Sequence, residues 1–597
     1  MARHFTFFAA LVLVFSVLTC GQSFAQNRFQ APDERLSGIV GICGCEACSG
    51  RLEHNNPVEE GGDGSGNNFQ IVTRWTATAM SGGGLQQGDP TILTWSIIPD
   101  GTDANGGGGF VPSNMIAAWD NAFNEANAGT ADLTNRFWFS RIQQALDRWG
   151  ELSGIEYIYE PNDDGVTNFG AGGLVGVRGD VRIGGFTIDG AGGPGDILAF
   201  NSFPNVGDMA VDTANTATFS FPQSNFRTLR NVYTHEQGHG LGFAHLISNN
   251  ARFLMEPAID LAFDGPQLDD VRAIHRNYGD FNEKSNNFAG NDDFGNATDL
   301  GTLGDGESTI IGTHGATGTI VTAFETDFVS IDDNNDIDFY KISVDEIAFL
   351  DVTLDPVGAT YNQSPEGGAG NVPLNSSNVS NLTLTLLTST GSLLDLSNSG
   401  GLGQPEEILG QIVVPGDTII RVQGSANSIQ LYTLEVSATY LDVPNETSPS
   451  VVNVNTGTVT SGSVDDLATS NNQRIEISAA APPNSGDAPL TATLTFFTPD
   501  NLPADLSVDY EGFGNTPNLQ QTMSIFNSQT NLFEEVDTRA VTLDETSFNV
   551  SPSGDPRRFV AFPSGLTLVE LIFEPTGPVI QFPWGISIDE VNLNTIQ

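Results

Sequence analysis

The chain has 597 residues and a formal charge of −51, with charged side chains at only 16% of positions. That length predicts several domains of about 150 residues each, and a hydrophobic share of 39% excludes a wholly disordered acidic polymer. Lysine occurs only at Lys284 and Lys341, which argues against nucleic-acid phosphate and anionic membranes as partners, since Lys and Arg must neutralise them.

Residues 1–25 open with Arg3 and His4, continue through an apolar run from Phe5 to Leu18 and reach Ser23-Phe24-Ala25. Charged start, apolar middle and small-residue end make a secretory signal peptide cut after Ala25. No other stretch approaches the ~18 apolar residues of a membrane-spanning helix, so a secreted or extracellular protein is expected, periplasm and cell surface included, without a transmembrane anchor. Residues 26–68 are polar and Gly/Asn-rich, a removable pro-segment or linker, and hold Cys43, Cys45 and Cys48. An odd number of thiols in an oxidising compartment leaves one bridge plus a free thiol, a bridge between chains, or metal binding.

From residue 69 to 280 the pattern is α+β. Strands are predicted at Thr91–Ile98, Gly154–Tyr159 and Gly179–Ile183. Between them, Trp138, Ile142, Ala145, Leu146 and Trp149 recur at helical spacing, predicting a helix over Arg136–Glu151. Further helices are expected over Phe226–Gly240 and Leu268–Tyr278, the latter stopped by Gly279. Beyond Gly279 the helical period is lost. Period-two runs such as Tyr340–Val344, Leu350–Leu354, Leu382–Leu386, Thr418–Val422 and Tyr432–Val436 predict an all-β sandwich over 287–444. Runs at Leu490–Phe497, Leu566–Phe573 and Gly585–Asp589 predict a second sandwich or jelly-roll-like domain of unknown role over 449–597, in which Trp584 and Phe582 are core aromatics.

Chemistry concentrates in Thr234-His235-Glu236-Gln237-Gly238-His239-Gly240-Leu241-Gly242-Phe243-Ala244-His245, where three of only seven histidines fall within eleven residues. On a helix His235 and His239 share one face, separated by ~6 Å of rise, and both can reach one Zn²⁺ at about 2.0–2.1 Å. Gly242 is where the helix can stop and turn through a positive φ, returning His245 to the same metal. Three protein ligands leave a fourth position for water, the mark of catalytic rather than structural zinc. Glu236 is placed to take a proton from zinc-activated water as general base.

These residues resemble the metzincin metallopeptidases, whose motif is His-Glu-x-x-His-x-x-Gly-x-x-His followed by a Met-turn. Phe253-Leu254-Met255-Glu256-Pro257 is similar to that turn, with Met255 beneath the zinc ligands. The matrixin branch is the nearest, through Gly195–Asp212 and the closing Leu268-Asp269-Asp270-Val271-Arg272-Ala273-Ile274. The resemblance implies a secreted zinc metalloendopeptidase that hydrolyses peptide bonds of protein or peptide substrates. Departures are Leu246 in place of Ser, no histidine for a second zinc in Gly195–Asp212, and no Pro-Arg-Cys-Gly latency run. A latency role for the three cysteines therefore stands below a local disulfide. Asp269-Asp270 suits either a matrixin-like grip on a new N-terminal ammonium or capping of the helix start. Oxygen ligands for Ca²⁺ are offered by Asp180, Asp196, Asp208 and Asp212, and by Asp332 and Asp336 downstream; solvated loop or turn acids are an equal alternative for each. Asp292–Ala297 and Asp336–Tyr340 resemble the bacterial pre-peptidase C-terminal domain, a β-sandwich appended to secreted peptidases. The rival reading is a secreted adhesion or carbohydrate-binding protein whose peptidase domain is vestigial.

Overall fold

A computed structural model describes residues 71–597 apart from 107–108, 191–195, 316–317, 367–370, 442–443, 481–488, 501, 579–582 and 597. The signal peptide, the pro-segment with its cysteines, Gly195 and Phe582 lie outside the described residues. The chain divides into two compact units, meeting in sequence between Tyr440 and Leu441.

The first unit opens on a five-stranded sheet. Its strands are β1 (Thr91–Ile97), β2 (Ile155–Tyr159), β3 (Val181–Phe186), β4 (Ala199–Asn201) and β5 (Met209–Asp212), in the order β2-β1-β3-β5-β4. All neighbours are parallel except β4, which runs antiparallel to β5 at the edge. Parallel strands need crossovers, and α1 (Met115–Ala122) and α2 (Phe137–Leu152) lie on the one from β1 to β2; α3 (Arg227–Gly240) and α4 (Leu268–Tyr278) follow the last strand. Helix α2 buries the expected face of Trp138, Ile142, Ala145, Leu146 and Trp149. Helix α3 is buried along its whole length, although its sequence is not apolar. Its arginines make this possible: Arg230 forms two bonds of 2.7 and 2.8 Å to Asp264, and Arg227 reaches the Leu261 carbonyl at 2.7 Å. Buried charges paired in this way avoid the cost of an isolated ion.

After α4 two five-stranded sheets form the predicted sandwich. One has the strand order 308–311, 430–440, 348–357, 406–413, with 329–331 also pairing with 430–440; the other runs 393–397, 382–388, 416–424, 337–344, 298–303. The sandwich does not stand apart from the helical region. Leu152, Leu246, Phe253, Leu268 and Val271 share one buried apolar cluster with Val321, Phe328, Val357, Tyr361, Leu374, Val379 and Leu431. The expected boundary near residue 287 is therefore a change of secondary structure inside one compact unit, because each side buries the other's apolar surface.

The second unit is again a pair of sheets. One orders 458–461, 475–478, 585–596, 505–514 and 546–550, with 445–447 joining 585–596; the other orders 451–456, 490–497, 566–575, 519–527 and 532–541. Alternate residues of these strands enter a core that includes the fully buried Trp584.

Candidate active site

Helix α3 carries His235 and His239 one turn apart, and both are fully buried. The helix ends at Gly240; Gly242 follows with φ +102°, a conformation that only glycine adopts cheaply. The turn sends Phe243 back against the segment before β1, where its backbone bridges Ile71, and brings His245 round to the other two imidazoles. Ring centroids stand 4.9 Å apart for His235 and His239, 4.9 Å for His239 and His245, and 5.3 Å for His235 and His245.

Each imidazole has an oxygen acceptor at Nδ1. His235 Nδ1 lies 2.6 Å from the Leu254 carbonyl, His239 Nδ1 2.6 Å from the Phe243 carbonyl, and His245 Nδ1 2.6 Å from Glu366 Oε2. An acceptor at Nδ1 fixes the proton there and leaves the Nε2 lone pair for a metal. One ring nitrogen from each histidine falls within 4.8 Å of the others. Three imidazoles oriented in this way fit a zinc ion with one position left open. Among the described residues it is the only group containing histidine that could hold a metal.

Glu236 is buried beside His235, and its backbone carbonyl accepts a bond of 2.6 Å from Asn201 Nδ2 on the edge strand β4. Met255 lies under the helix. A Cβ added to Gly238 would sit 2.3 Å from Met255 Sδ, so the glycine between the two helical ligands is what admits the thioether. Met255 is in turn held by its backbone: its N–H donates to Asp270 Oδ1 at 3.2 Å, and its carbonyl accepts from Leu246 N at 3.0 Å.

The acidic pair on α4 serves the fold. Asp270 also accepts from the N–H groups of Leu254 and Gln267, both at 2.8 Å, and with Gln267 closes a capping box. Burial raises its pKa to about 7. Asp269 accepts the Tyr361 hydroxyl of the sandwich and lies 3.9 Å from Arg272. Asp270 thus makes the expected helix-start capping bonds, and Asp269 does not.

Asp180 accepts from Ala79 N at 2.7 Å and from the N–H and hydroxyl of Thr94 at 3.0 and 2.7 Å. Asp208 accepts from Phe169 N at 2.7 Å and Arg182 N at 3.0 Å, and burial lifts its pKa to about 7. Asp212 caps the turn that follows β5 by accepting from Ala214 N at 2.8 Å. Among the described residues no three of Asp180, Asp196, Asp208 and Asp212 bring oxygens together. Asp332 and Asp336 behave differently. They belong with Asp280, Glu283, Asp292 and Asp338 to a group in which burial, then mutual repulsion, pushes the pKa upward, to about 7 for Asp280 and about 6 for Asp292. Within it Glu283, Asp292 and Asp336 present oxygens within 4.8 Å of one another.

Sequence reasoning missed Glu366, which carries no local motif and lies 121 positions from its partner. It reached Asp270 as a helix cap but not as the residue that holds the turn around Met255.

Residues 122–279 match the family model of the matrixins, peptidase family M10. The chain thus carries a matrixin-like metallopeptidase domain over well under half of its length. No curated protein matches the chain. Among solved structures, a carbohydrate-binding module of family 29 is 9% identical, covering 26% of this chain and 92% of its own, with a TM-score of 0.17. A family 61 module in complex with β-1,4-galactotriose is 10% identical over 24% of this chain and 86% of its own, with a TM-score of 0.16. The N-terminal tandem of family 22 modules from Paenibacillus barcinonensis is 7% identical over 48% of this chain and 91% of its own, with a TM-score of 0.18.

Proposed function

We propose that this protein is an exported zinc-dependent endopeptidase. The observation that carries the reading is the convergence of three imidazoles, His235 and His239 on α3 and His245 beyond its end, with Glu236 next to His235 on that helix. A zinc ion held by the three histidines supplies Lewis acidity toward the scissile carbonyl and toward water. Glu236 accepts the proton of the attacking water and returns it to the departing amine, so one carboxylate serves both halves of the hydrolysis. The Glu236 carbonyl held by Asn201 and the α3 backbone fixed by Trp149 Nε1, which donates to Thr234 O at 2.9 Å, keep that carboxylate in place.

The N-terminal charge and apolarity pattern supports export, and among the described residues no helix is long and apolar enough to cross a membrane. The pre-peptidase C-terminal resemblance of the first sandwich is kept as part of this reading. This reading assigns calcium to Glu283, Asp292 and Asp336, where a divalent cation would relieve the repulsion among closely spaced carboxylates; Asp332 lies in the same group.

The test compares wild type with Glu236→Ala for zinc content and casein digestion. Both proteins are expected to hold equimolar zinc, with cleavage lost by about 10²–10⁴-fold in the variant. Zinc without cleavage of any protein or peptide by wild type would leave the vestigial reading; absence of zinc from wild type would remove the site assignment itself.

A further inference from the structure

The sandwich reaches into the metal site through one hairpin, formed by strands Thr360–Pro365 and Val372–Asn375. The first of these strands also pairs antiparallel with the two-residue strand Leu246–Ile247 that follows the third histidine, with Ser364 opposite Ile247 and Pro365 opposite Leu246. Continued by one residue, this register sets residue 366 opposite residue 245. Directly opposed residues of an antiparallel pair bring their side chains within reach, and Glu366 Oε2 indeed stands 2.6 Å from His245 Nδ1. The backbone pairing of the two neighbouring residue pairs thus brings these side chains within reach of each other.

The hairpin is fastened at several further points. The Asn362 backbone N–H donates to the side-chain Oδ1 of Asn250 at 2.8 Å, and its side-chain Nδ2 donates to Asn249 Oδ1 at 2.8 Å. Tyr361 is fully buried, stacks edge-on at 5.0 Å against Phe253 beside the Met255 turn, accepts from Arg272 at 2.8 Å and donates to Asp269. Such a mount has little freedom to drift away from His245.

We infer that Glu366 is the positioning residue of His245, so that the β-sandwich completes the metal centre of the peptidase domain. The inference rests on the zinc reading of the site. His235 and His239 receive their Nδ1 acceptors from backbone carbonyls of the peptidase region itself, at Leu254 and Phe243. His245 takes a carboxylate at Nδ1, and takes it from the hairpin of the sandwich. A carboxylate at Nδ1 both fixes the tautomer and raises the basicity of the nitrogen that faces the metal. A chain cut anywhere between residues 280 and 360 and stripped of the sandwich would lose that partner, so the competent form retains at least the hairpin.

The test uses the full processed chain with zinc alone as probe. Dissociation constants are measured by chelator competition for wild type, Glu366→Ala, Glu366→Gln and Glu346→Ala, the last removing an exposed sandwich carboxylate elsewhere. Visible spectra of the cobalt-substituted proteins and melting of the metal-free proteins are recorded in parallel. Glu366→Ala is expected to weaken zinc by about 10- to 100-fold and to alter the cobalt spectrum. Glu366→Gln, which keeps an accepting oxygen without the charge, falls between it and wild type, and Glu346→Ala matches wild type. Metal-free melting is expected to be unchanged in all four. Wild-type affinity in Glu366→Ala would overturn the inference while leaving the zinc reading intact, as would an equal loss in Glu346→Ala or a loss matched by lower metal-free melting. Faster cleavage at unchanged affinity would overturn it too, by making the hairpin a cover over the site. Wild type without zinc affinity would remove the zinc reading, and the inference with it.

Discussion

Replacing Gly242 by alanine tests whether the turn that returns His245 depends on glycine for two separate reasons. The residue has φ +102°, and a Cβ built there would lie 1.8 Å from the Thr73 carbonyl oxygen and 2.7 Å from its carbon. Thr73 cannot step aside freely: Val72 N donates to Gly242 O at 2.8 Å, Asn277 Nδ2 donates to Thr73 O at 3.1 Å, and Arg74 and Trp75 on the next positions are buried. Backbone strain at such a φ costs about 1–3 kcal/mol, and forcing a methyl group into fixed backbone about 1–3 kcal/mol more. The expected loss is about 2–6 kcal/mol against the ~5–15 kcal/mol of a whole domain. Gly101 supplies the control, because its φ is +93° and a Cβ there meets nothing within 4 Å; Gly101→Ala should cost only the strain. Urea denaturation followed by tryptophan fluorescence reads the right unit, since Trp75, Trp95, Trp119, Trp138 and Trp149, five of the six tryptophans, are buried in its core. Zinc content reports the second consequence, because Gly242 links the Phe243 acceptor of His239 to His239 itself. If Gly242→Ala lost no more stability than Gly101→Ala and kept its zinc, the steric account of the turn would be wrong.

Other outcomes follow from the same structure. Met255→Ala empties the space beneath Gly238 and should cost about 2–5 kcal/mol while zinc remains equimolar, because none of the three ligands or their acceptors is removed; metal analysis beside thermal melting checks both halves. His275 is fully buried, with Nε2 donating to Leu152 O at 2.6 Å and Nδ1 2.9 Å from Ser330 Oγ, and burial depresses its pKa from 6.5 to about 4. It is neutral when folded and takes up a proton on unfolding, so its contribution is complete above pH ~6.5 and is lost as pH falls from there toward 4. The full loss is about 3 kcal/mol. A His275→Gln variant should show a shallower fall in stability over that window, and a parallel profile would refute the assignment. Millimolar Ca²⁺ should raise the melting temperature of wild type, by about 2.7 kcal/mol of added stability at 100 times the dissociation constant, and should leave a doubly substituted Asp292→Asn, Asp336→Asn protein unmoved; equal responses would remove the calcium placement.

Much of the peptidase region was legible because its signals are local. The spacing of Trp138, Ile142, Leu146 and Trp149 placed α2 to within a residue, and the spacing of His235, His239, Gly242 and His245 brings the three imidazoles together by helix periodicity and one turn. The short helix Met115–Ala122 was not read, since eight residues with only Met115, Trp119 and Asp120 buried give too little periodic signal. Acidic residues were the least legible. Asp180 and Asp208 look like loop carboxylates in the sequence, yet both are buried acceptors of backbone N–H groups, a role that any short acidic side chain can fill and that no spacing announces.

Glu366 shows a different kind of limit. Its significance depends on register: with Ser364 opposite Ile247, the side chain of residue 366 faces His245, whereas a slip of one residue would turn it to the other face. Nothing within the run Tyr361-Asn362-Gln363-Ser364-Pro365-Glu366 fixes that register. It is set by Tyr361 packing on Phe253 and reaching Asp269, and by Asn362 meeting Asn249 and Asn250, all more than 90 positions away. A histidine-rich motif can be recognised by its own spacing, but the carboxylate that meets its third histidine is specified only by the packing of a second structural layer against the first. The same packing explains why the predicted boundary at residue 287 does not separate two independent bodies: the apolar cluster around Leu246, Phe253 and Tyr361 that fixes the hairpin is also the one that joins the sandwich to the peptidase region.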